Sequence, residues 1–420
     1  MVKFFKRFLY KREIFELCIR IVVVSFFVFL LLRVCIPMDF YTGFSIALTA
    51  GLMVLAIELL AKFLSRFLYL RREDKLKTTH NYTWLMNYYP LDKPSFYQYY
   101  NSKTTDCALL KKEIKKSDKE FDFQQNQVFP IKVLANLKGK ALKIQDSDKI
   151  FVLPEELQKN LNRLDQVHLG SKLYNNQCHR LDDVRTENDL VVLQTSRTSY
   201  FDFCASNRMM DYDYRGCRSV RQRFAYGPKF PSLRKSQLSN LLGFNVSIIS
   251  SDNKVIFIER GKKESIEKNC YANGVQAVLK YKYTHENHSS LTPKGLYYAV
   301  KREIMNELKI KDELKIMNTE IRKSLRTIYY DYVEAKPQLY FEIKLPEPWT
   351  FEQIRKNANQ QNIENSIKED GSEFIGIDIE RLEDIFVTPY GFSFDCKFYP
   401  MVPSTSYCVA QLIENHRKIL

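Results

Sequence analysis

Apolar residues are concentrated at the start of the chain. Positions 21–32 read IVVVSFFVFLLL, an uncharged run bracketed by Arg20 and Arg33, and 40–57 form a second run without charge. Between them, 34–39 contain Pro37 and read as a turn. Twelve helical residues (21–32) rise about 18 Å, short of the roughly 30 Å hydrocarbon layer. Extension to 17–37 reaches spanning length if Arg20 and Arg33 stretch towards opposite interfaces. The pattern predicts a two-helix transmembrane hairpin over 1–75. Lys3, Lys6, Arg7, Lys11 and Arg12 precede the first run, and Lys62, Arg66, Arg71 and Arg72 follow the second. By the positive-inside rule both chain ends are then cytoplasmic. Gly43, Ala47 and Gly51 recur every four residues, a small-residue face suited to packing hairpins into a homo-oligomer. A cleaved signal peptide is the alternative, but no small-residue cleavage site follows Leu32.

The rest of the chain is patterned differently. Residues 76–126 read as a juxtamembrane linker, charged over 111–119 (KKEIKKSDK) and aromatic-rich over 79–100, a composition that suits an interfacial belt at a membrane or a docking segment. From 127, short β-like runs at 129–134, 149–153 and 190–193 alternate with a polar helical stretch at 155–164, which predicts an α+β subdomain over 127–237. Residues 241–260 (LLGFNVSIISSDNKVIFIER) place an Asp252-Asn253 turn between two apolar strands, a hairpin pattern. Residues 291–310 (LTPKGLYYAVKREIMNELKI) start with Pro293 and predict a helix with Glu303 and Glu307 one turn apart on one face. Strands at 337–345 and 374–379 and a helix at 404–414 complete the expected elements.

Composition narrows the classes. Of 420 residues, 45% are hydrophobic, which excludes a wholly disordered chain. The nine cysteines contain no CxxC pair, which argues against a zinc ribbon or a disulfide framework. His168, His179, His285 and His288 lack metal-ligand spacing, and neither a P-loop nor a Gly-rich dinucleotide fingerprint occurs. Glycosylation triplets at Asn81, Asn245 and Asn287 read as chance in a cytoplasmic region.

The net charge is +15, and its densest cluster lies at 208–235. There Arg208, Arg215, Arg218, Arg221, Arg223, Lys229, Arg234 and Lys235 face only Asp211 and Asp213, with Tyr212, Tyr214, Phe224 and Tyr226 interleaved. Guanidinium groups grip phosphates bidentately and rings stack on bases, so a nucleotide-binding surface is one expectation. A face against anionic lipid or solvent is the other. Arg215, Arg218, Arg221, Arg223, Arg260, Arg302 and Tyr226 are the ligand-binding candidates, with no specific nucleic acid expected.

Residues 302–310 (REIMNELKI) resemble the box of the Nudix hydrolase superfamily, G-x5-E-x7-R-E-U-x-E-E-x-G-U with U a bulky apolar residue. The resemblance covers 238–420 and implies a Nudix-like α/β/α sandwich. It places Glu303 and Glu307 where the family has magnesium-binding carboxylates, and Arg302 where it has an orienting arginine. Asn306, Lys309, Lys294 and His288 depart from the pattern. Replacing a carboxylate by Asn306 and adding Lys294 weakens a magnesium site, which favours nucleotide binding without turnover. A magnesium-dependent hydrolase of nucleoside diphosphate derivatives, using Glu303 and Glu307, is the alternative, and a non-catalytic membrane scaffold a third reading. No other cofactor is expected.

A hairpin joined to such a degenerate domain resembles the two-transmembrane effectors of CBASS-type antiphage defence that carry SMODS-associated Nudix-like sensor domains. Residues 198–207 (TSYFDFCASN) are similar to the region preceding that domain. The resemblance implies a cyclic-oligonucleotide messenger from a partner nucleotidyltransferase. Ligand-driven oligomerisation would then disrupt the bacterial inner membrane.

Overall fold

Alternating apolar positions along the strands organise the folded region. The structure, a computed structural model, describes residues 77–420 except 105–107, 162–163, 165–173, 213–217, 261–269, 285–289, 311–313, 365–373 and 418–420, together with Thr42, Thr49, Gly51 and Met53. Asp74–Leu420 forms one compact unit, and Met1–Glu73 another.

Helix α1 (Tyr82–Tyr88) starts at Asn81, whose side chain accepts from the Trp84 amide, and strand β1 (Phe96–Tyr100) follows. Tyr82, Leu85, Tyr89 and Phe96 are buried in one hydrophobic cluster. Much of the aromatic stretch expected to meet a membrane interface or a partner therefore packs in the protein's own core, where each ring removes about 150–250 Å² from water, whereas Trp84 and Tyr100 are exposed. Helix α2 (Ala108–Ser117) buries Leu110 and Ile114 and leads into β2 (Asn126–Asn136).

Strand β3 (Ala141–Ile150), helix α3 (Glu155–Leu161) and strands β4 (Gln177–Glu187) and β5 (Leu190–Ser199) build a small sheet in the order β3-β5-β4. Central β5 runs parallel to β3 and antiparallel to β4. Helix α4 (Tyr200–Ala205) begins with a capping box between Ser199 and Asp202, and α5 (Val220–Phe224) with one between Ser219 and Gln222.

The expected hairpin at 241–260 is present as β6 (Gly243–Ile249) and β7 (Lys254–Glu259), and Asn253 takes the left-handed turn conformation at φ +61°. Short strands β8 (Tyr271–Ala272) and β9 (Val275–Val278) and helix α6 (Tyr281–Thr284) follow. Helix α7 (Pro293–Glu307) places Pro293 in its first turn, behind Thr292, which accepts from the Gly295 amide. After α8 (Asn318–Ser324) come β10 (Leu325–Asp331), β11 (Lys336–Lys344), α9 (Phe351–Glu364) and β12 (Phe374–Asp378). A three-stranded sheet of β13 (Phe386–Thr388), β14 (Gly391–Phe394) and β15 (Lys397–Pro400) precedes the last helix, α10 (Pro403–Arg417).

Nine strands join in the main sheet, ordered β1-β2-β10-β11-β6-β7-β12, with β8 on β7 and β9 on β6. Its β11–β6 pair is parallel. Phe244, Val246 and Ile248 pack with Leu296, Val300 and Ile304 of α7. Val255, Phe257, Tyr329 and Tyr340 instead pack with Tyr407, Val409 and Leu412 of α10. Period-two alternation thus covers both faces, and a one-residue slip would exchange them. The main sheet also takes β1 and β2 from before residue 237, so it is not confined to 238–420.

The membrane expectation is corrected. Among the described residues no helix is long and apolar enough to cross a membrane. The long described helices α7 and α10 have 15 residues each, a rise of about 22 Å against a roughly 30 Å hydrocarbon layer, and both pack in the protein core. The hairpin over 1–75 and its inner-membrane location are therefore not supported, and the bilayer disruption built on them is not carried further. Apart from Thr42, Thr49, Gly51 and Met53, the expected hairpin lies outside the described residues. Of the proposed oligomer face, Gly51 is helical and buried, whereas Gly43 and Ala47 lie outside them.

Phe341 on β11 is fully buried against Phe244 at a ring-centroid distance of 6.4 Å. Phe341→Ala is expected to lower unfolding free energy by about 3–5 kcal/mol, read as a lower urea midpoint with an unchanged slope.

Candidate functional site

The basic segment divides into buried and exposed members. Arg221, in the first turn of α5, is fully buried. Its Nε donates to Asp211 Oδ1 at 2.6 Å and its Nη2 to Asp211 Oδ2 at 2.9 Å. Nη1 donates to the Tyr332 carbonyl at 2.9 Å and Nη2 to that of Val333 at 2.8 Å. Burial by itself would lower its pKa, but the Asp211 charge outweighs that and raises it. Arg221 is thus an internal strut tying α5 to the chain beyond β10.

Arg223 is exposed and pairs with Glu156 at 2.8 Å, and Arg234 donates to Asp183 at 2.5 Å. Arg218 is exposed, and Tyr226 is 69% exposed with its ring edge on Tyr88. Arg215 lies outside the described residues. Of the described candidates in this segment, Arg221 is turned inward and Arg223 is paired, while Arg218 and Tyr226 are exposed. Local charge density could not reveal that Arg221 turns inward.

The box helix shows a second departure. Glu303 on α7 is only 3% exposed, and Lys280, just beyond β9, donates to its Oε1 at 2.7 Å. Partial burial would lower the Lys280 pKa, but the Glu303 charge and hydrogen bond raise it. Asn306 and Glu307 are exposed one turn on. Arg302 donates from Nη1 to Tyr298 Oη at 3.2 Å, and its guanidinium lies 4.8 Å from the Tyr283 ring centre. Lys280 and Lys282 approach the same ring at 5.1 and 4.9 Å. Three cations around one electron-rich ring make this face basic and aromatic. Arg260 is half-buried and donates to Gln276.

Magnesium requires hard oxygen ligands carrying net negative charge. Here the buried carboxylate is already neutralised by an ammonium. Among the described residues, no group of three or more His, Cys, Asp or Glu side chains is placed to hold a metal ion. The box residues do not fit a magnesium centre.

A polar centre not foreseen in the sequence joins the small sheet to α6 and α7. The Asp146 carboxylate on β3, 1% exposed, accepts from Arg197 Nη1 at 2.6 Å and Nη2 at 2.7 Å. It also accepts from Thr195 Oγ1 at 2.6 Å and from the Leu291 amide at 2.6 Å. His179 is fully buried beside it, with Nε2 2.8 Å from Thr284 Oγ1 and Nδ1 3.4 Å from Arg197 Nη1. The Tyr281 ring lies 4.8 Å from the Arg197 guanidinium. Burial would raise the Asp146 pKa, but hydrogen bonds with His179, Arg197, Thr195 and the Leu291 amide hold it far below the usual carboxylate range. Of these residues only His179 stands out in the sequence, where its lack of metal spacing made it unremarkable. His168, His285 and His288 lie outside the described residues.

Beside this centre, a cleft of about 550 Å³ opens on the small sheet, lined among others by Gln145, Lys149, Phe151, Arg180, Gln194 and Asp146 itself. That volume falls within the range of small-molecule sites, roughly 300–1,000 Å³.

No protein-family model matches the chain, and no curated protein matches it in sequence.

Two outcomes follow. Arg221→Met is expected to cost about 3–5 kcal/mol in a urea melt, because it leaves Asp211 half-buried without its partner, whereas Arg218→Met stays within about 0.5 kcal/mol. Asp146 titrates below its unfolded value, so its stabilisation is present above roughly pH 4–5 and lost as pH falls towards the depressed folded value. Asp146→Asn should lower stability at neutral pH and flatten its decline below about pH 5, followed by circular dichroism.

Proposed function

We propose that the folded region is a nucleotide receptor, a Nudix-like sensor that holds a phosphate-bearing messenger without cleaving it. The observation that carries this proposal is the Lys280–Glu303 ion pair at 2.7 Å. It occupies the carboxylate that a Nudix enzyme would offer to magnesium, so Mg²⁺ cannot neutralise charge on a scissile diphosphate there. Three further features support it: the main sheet covered by helices on both faces, the REIMNE sequence on α7, and the cations around Tyr283. Arginine, lysine and aromatic rings are the groups that recognise phosphates and bases. In the setting that the sequence resemblance implies, the messenger is a cyclic oligonucleotide made by a partner nucleotidyltransferase during antiphage defence.

Purified protein incubated with magnesium and nucleoside diphosphate derivatives should release no mononucleotide. The same protein should melt higher with at least one cyclic di- or trinucleotide. At a concentration 100 times Kd, the stabilisation is about 2.7 kcal/mol. Magnesium-dependent release of mononucleotide, abolished in Glu303→Gln, would show a hydrolase instead. A melt unmoved by every nucleotide tested would remove the receptor.

A further inference from the structure

The small sheet carries a site that the box helix does not explain. Both edge strands depart from regular register at the same level of β5. On β3 the pairing steps from Asp146↔Thr195 to Ile150↔Arg197, so Ser147, Asp148 and Lys149 bulge out. On β4 it steps from Leu181↔Thr195 to Asp183↔Gln194, leaving Asp182 as the extra residue. Bulges re-aim side chains and concentrate beside binding sites. Both of these border the 550 Å³ cleft, which Ser147, Lys149 and Asp182 help to line.

The chemistry of the walls is selective. Gln194 donates to Gln145 Oε1 at 3.3 Å, which leaves the Gln194 oxygen and the Gln145 nitrogen without a partner among the described residues. Paired amide donors and acceptors match the hydrogen-bonding edge of a nucleobase. Ile150, 69% exposed, and the half-buried Phe151 add apolar surface at the same opening. Arg180 is held in place: its Nη2 donates to the carbonyls of Ser236 and Leu238 at 3.0 and 3.2 Å, and its guanidinium lies 5.0 Å from the Phe151 ring centre. Its buried Nε has no hydrogen-bond partner. Lys149 is exposed and has no ion partner among the described residues, which leaves it available to a phosphate. The wall behind is rigid, because Asp146 is locked by Arg197, Thr195 and the Leu291 amide.

We propose that this cleft is a nucleotide-binding site, with Gln145 and Gln194 reading the base edge and Lys149 meeting a phosphate. The placement rests on the receptor function proposed above and puts the ligand away from the box helix. Asp146 connects the two: it lines the cleft and accepts from the Leu291 amide, two residues before α7. A ligand that tightens the β3 bulge thereby reaches the start of the box helix.

Calorimetric titration of the full chain with ATP, GTP and cyclic di- and trinucleotides tests the placement, using Lys149→Glu, Gln194→Ala and Arg302→Ala. All three substituted residues lie at or near the surface, and thermal melts confirm folding of each variant. Lys149→Glu should weaken the bound nucleotide at least tenfold and Gln194→Ala severalfold, each a larger loss than Arg302→Ala produces. Wild-type binding that survives Lys149→Glu and Gln194→Ala, whether or not Arg302→Ala abolishes it, would overturn the placement and leave the receptor standing. Wild-type protein that binds none of these nucleotides would overturn both.

Discussion

The Asp146–Arg197 pair is the contact on which the arrangement of the folded region depends. A carboxylate with 1% of its side chain exposed is costly to bury unless its lone pairs are filled. Arg197, Thr195 and the Leu291 amide fill them, at 2.6–2.7 Å. These donors come from β5 and from the segment entering α7, so satisfying one charge fixes the small sheet against the box helix. His179, wedged between Arg197 and Thr284, ties β4 and α6 into the same centre. Remove the carboxylate, and the Leu291 amide loses its acceptor while the buried Arg197 guanidinium keeps only Asp148, at 3.0 Å, as a carboxylate partner among the described residues.

Charge compensation bears on the proposed function in a similar way. In a magnesium-dependent hydrolase, clustered carboxylates stay uncompensated by protein so that metal can bind. Here Lys280 sits 2.7 Å from Glu303, and Arg221 is taken up by Asp211. Exposed cations include Arg302 and Lys282 beside Tyr283, Arg218 ahead of α5, and Lys149 on the bulge of β3. Guanidinium, ammonium and aromatic groups are the ones that recognise anionic, planar ligands in general.

Much of the architecture was legible because its signals are local. Asn253 in the β6–β7 turn, Pro293 behind the Thr292 cap, and the alternating runs of β6, β7 and β11 each announce an element within a few residues. Pairing between elements was not legible. Strand β2 completes a sheet with β10, almost two hundred residues further on, so 127–237 read as a separate subdomain although its first strand belongs to the main sheet. The aromatic stretch near residue 90 looked like a surface for partners because its composition suits an interface as well as a core. The apolar runs at 21–32 and 40–57 matched a membrane pattern, yet no described helix has the length and apolarity to span a bilayer.

The sequence by itself determined where strands, turns and helix caps begin, since those depend on side-chain period and backbone preference over a handful of positions. It also placed Asn306 where the resembled Nudix pattern has an acidic residue. Which charges are spent and which remain was decided only in three dimensions. Lys280 meets Glu303 across 23 residues, Arg197 meets Asp146 across 51, and Leu291 meets Asp146 across 145. Electrostatic compensation acts through space at hydrogen-bond distance, and no pattern along the chain encodes such separations.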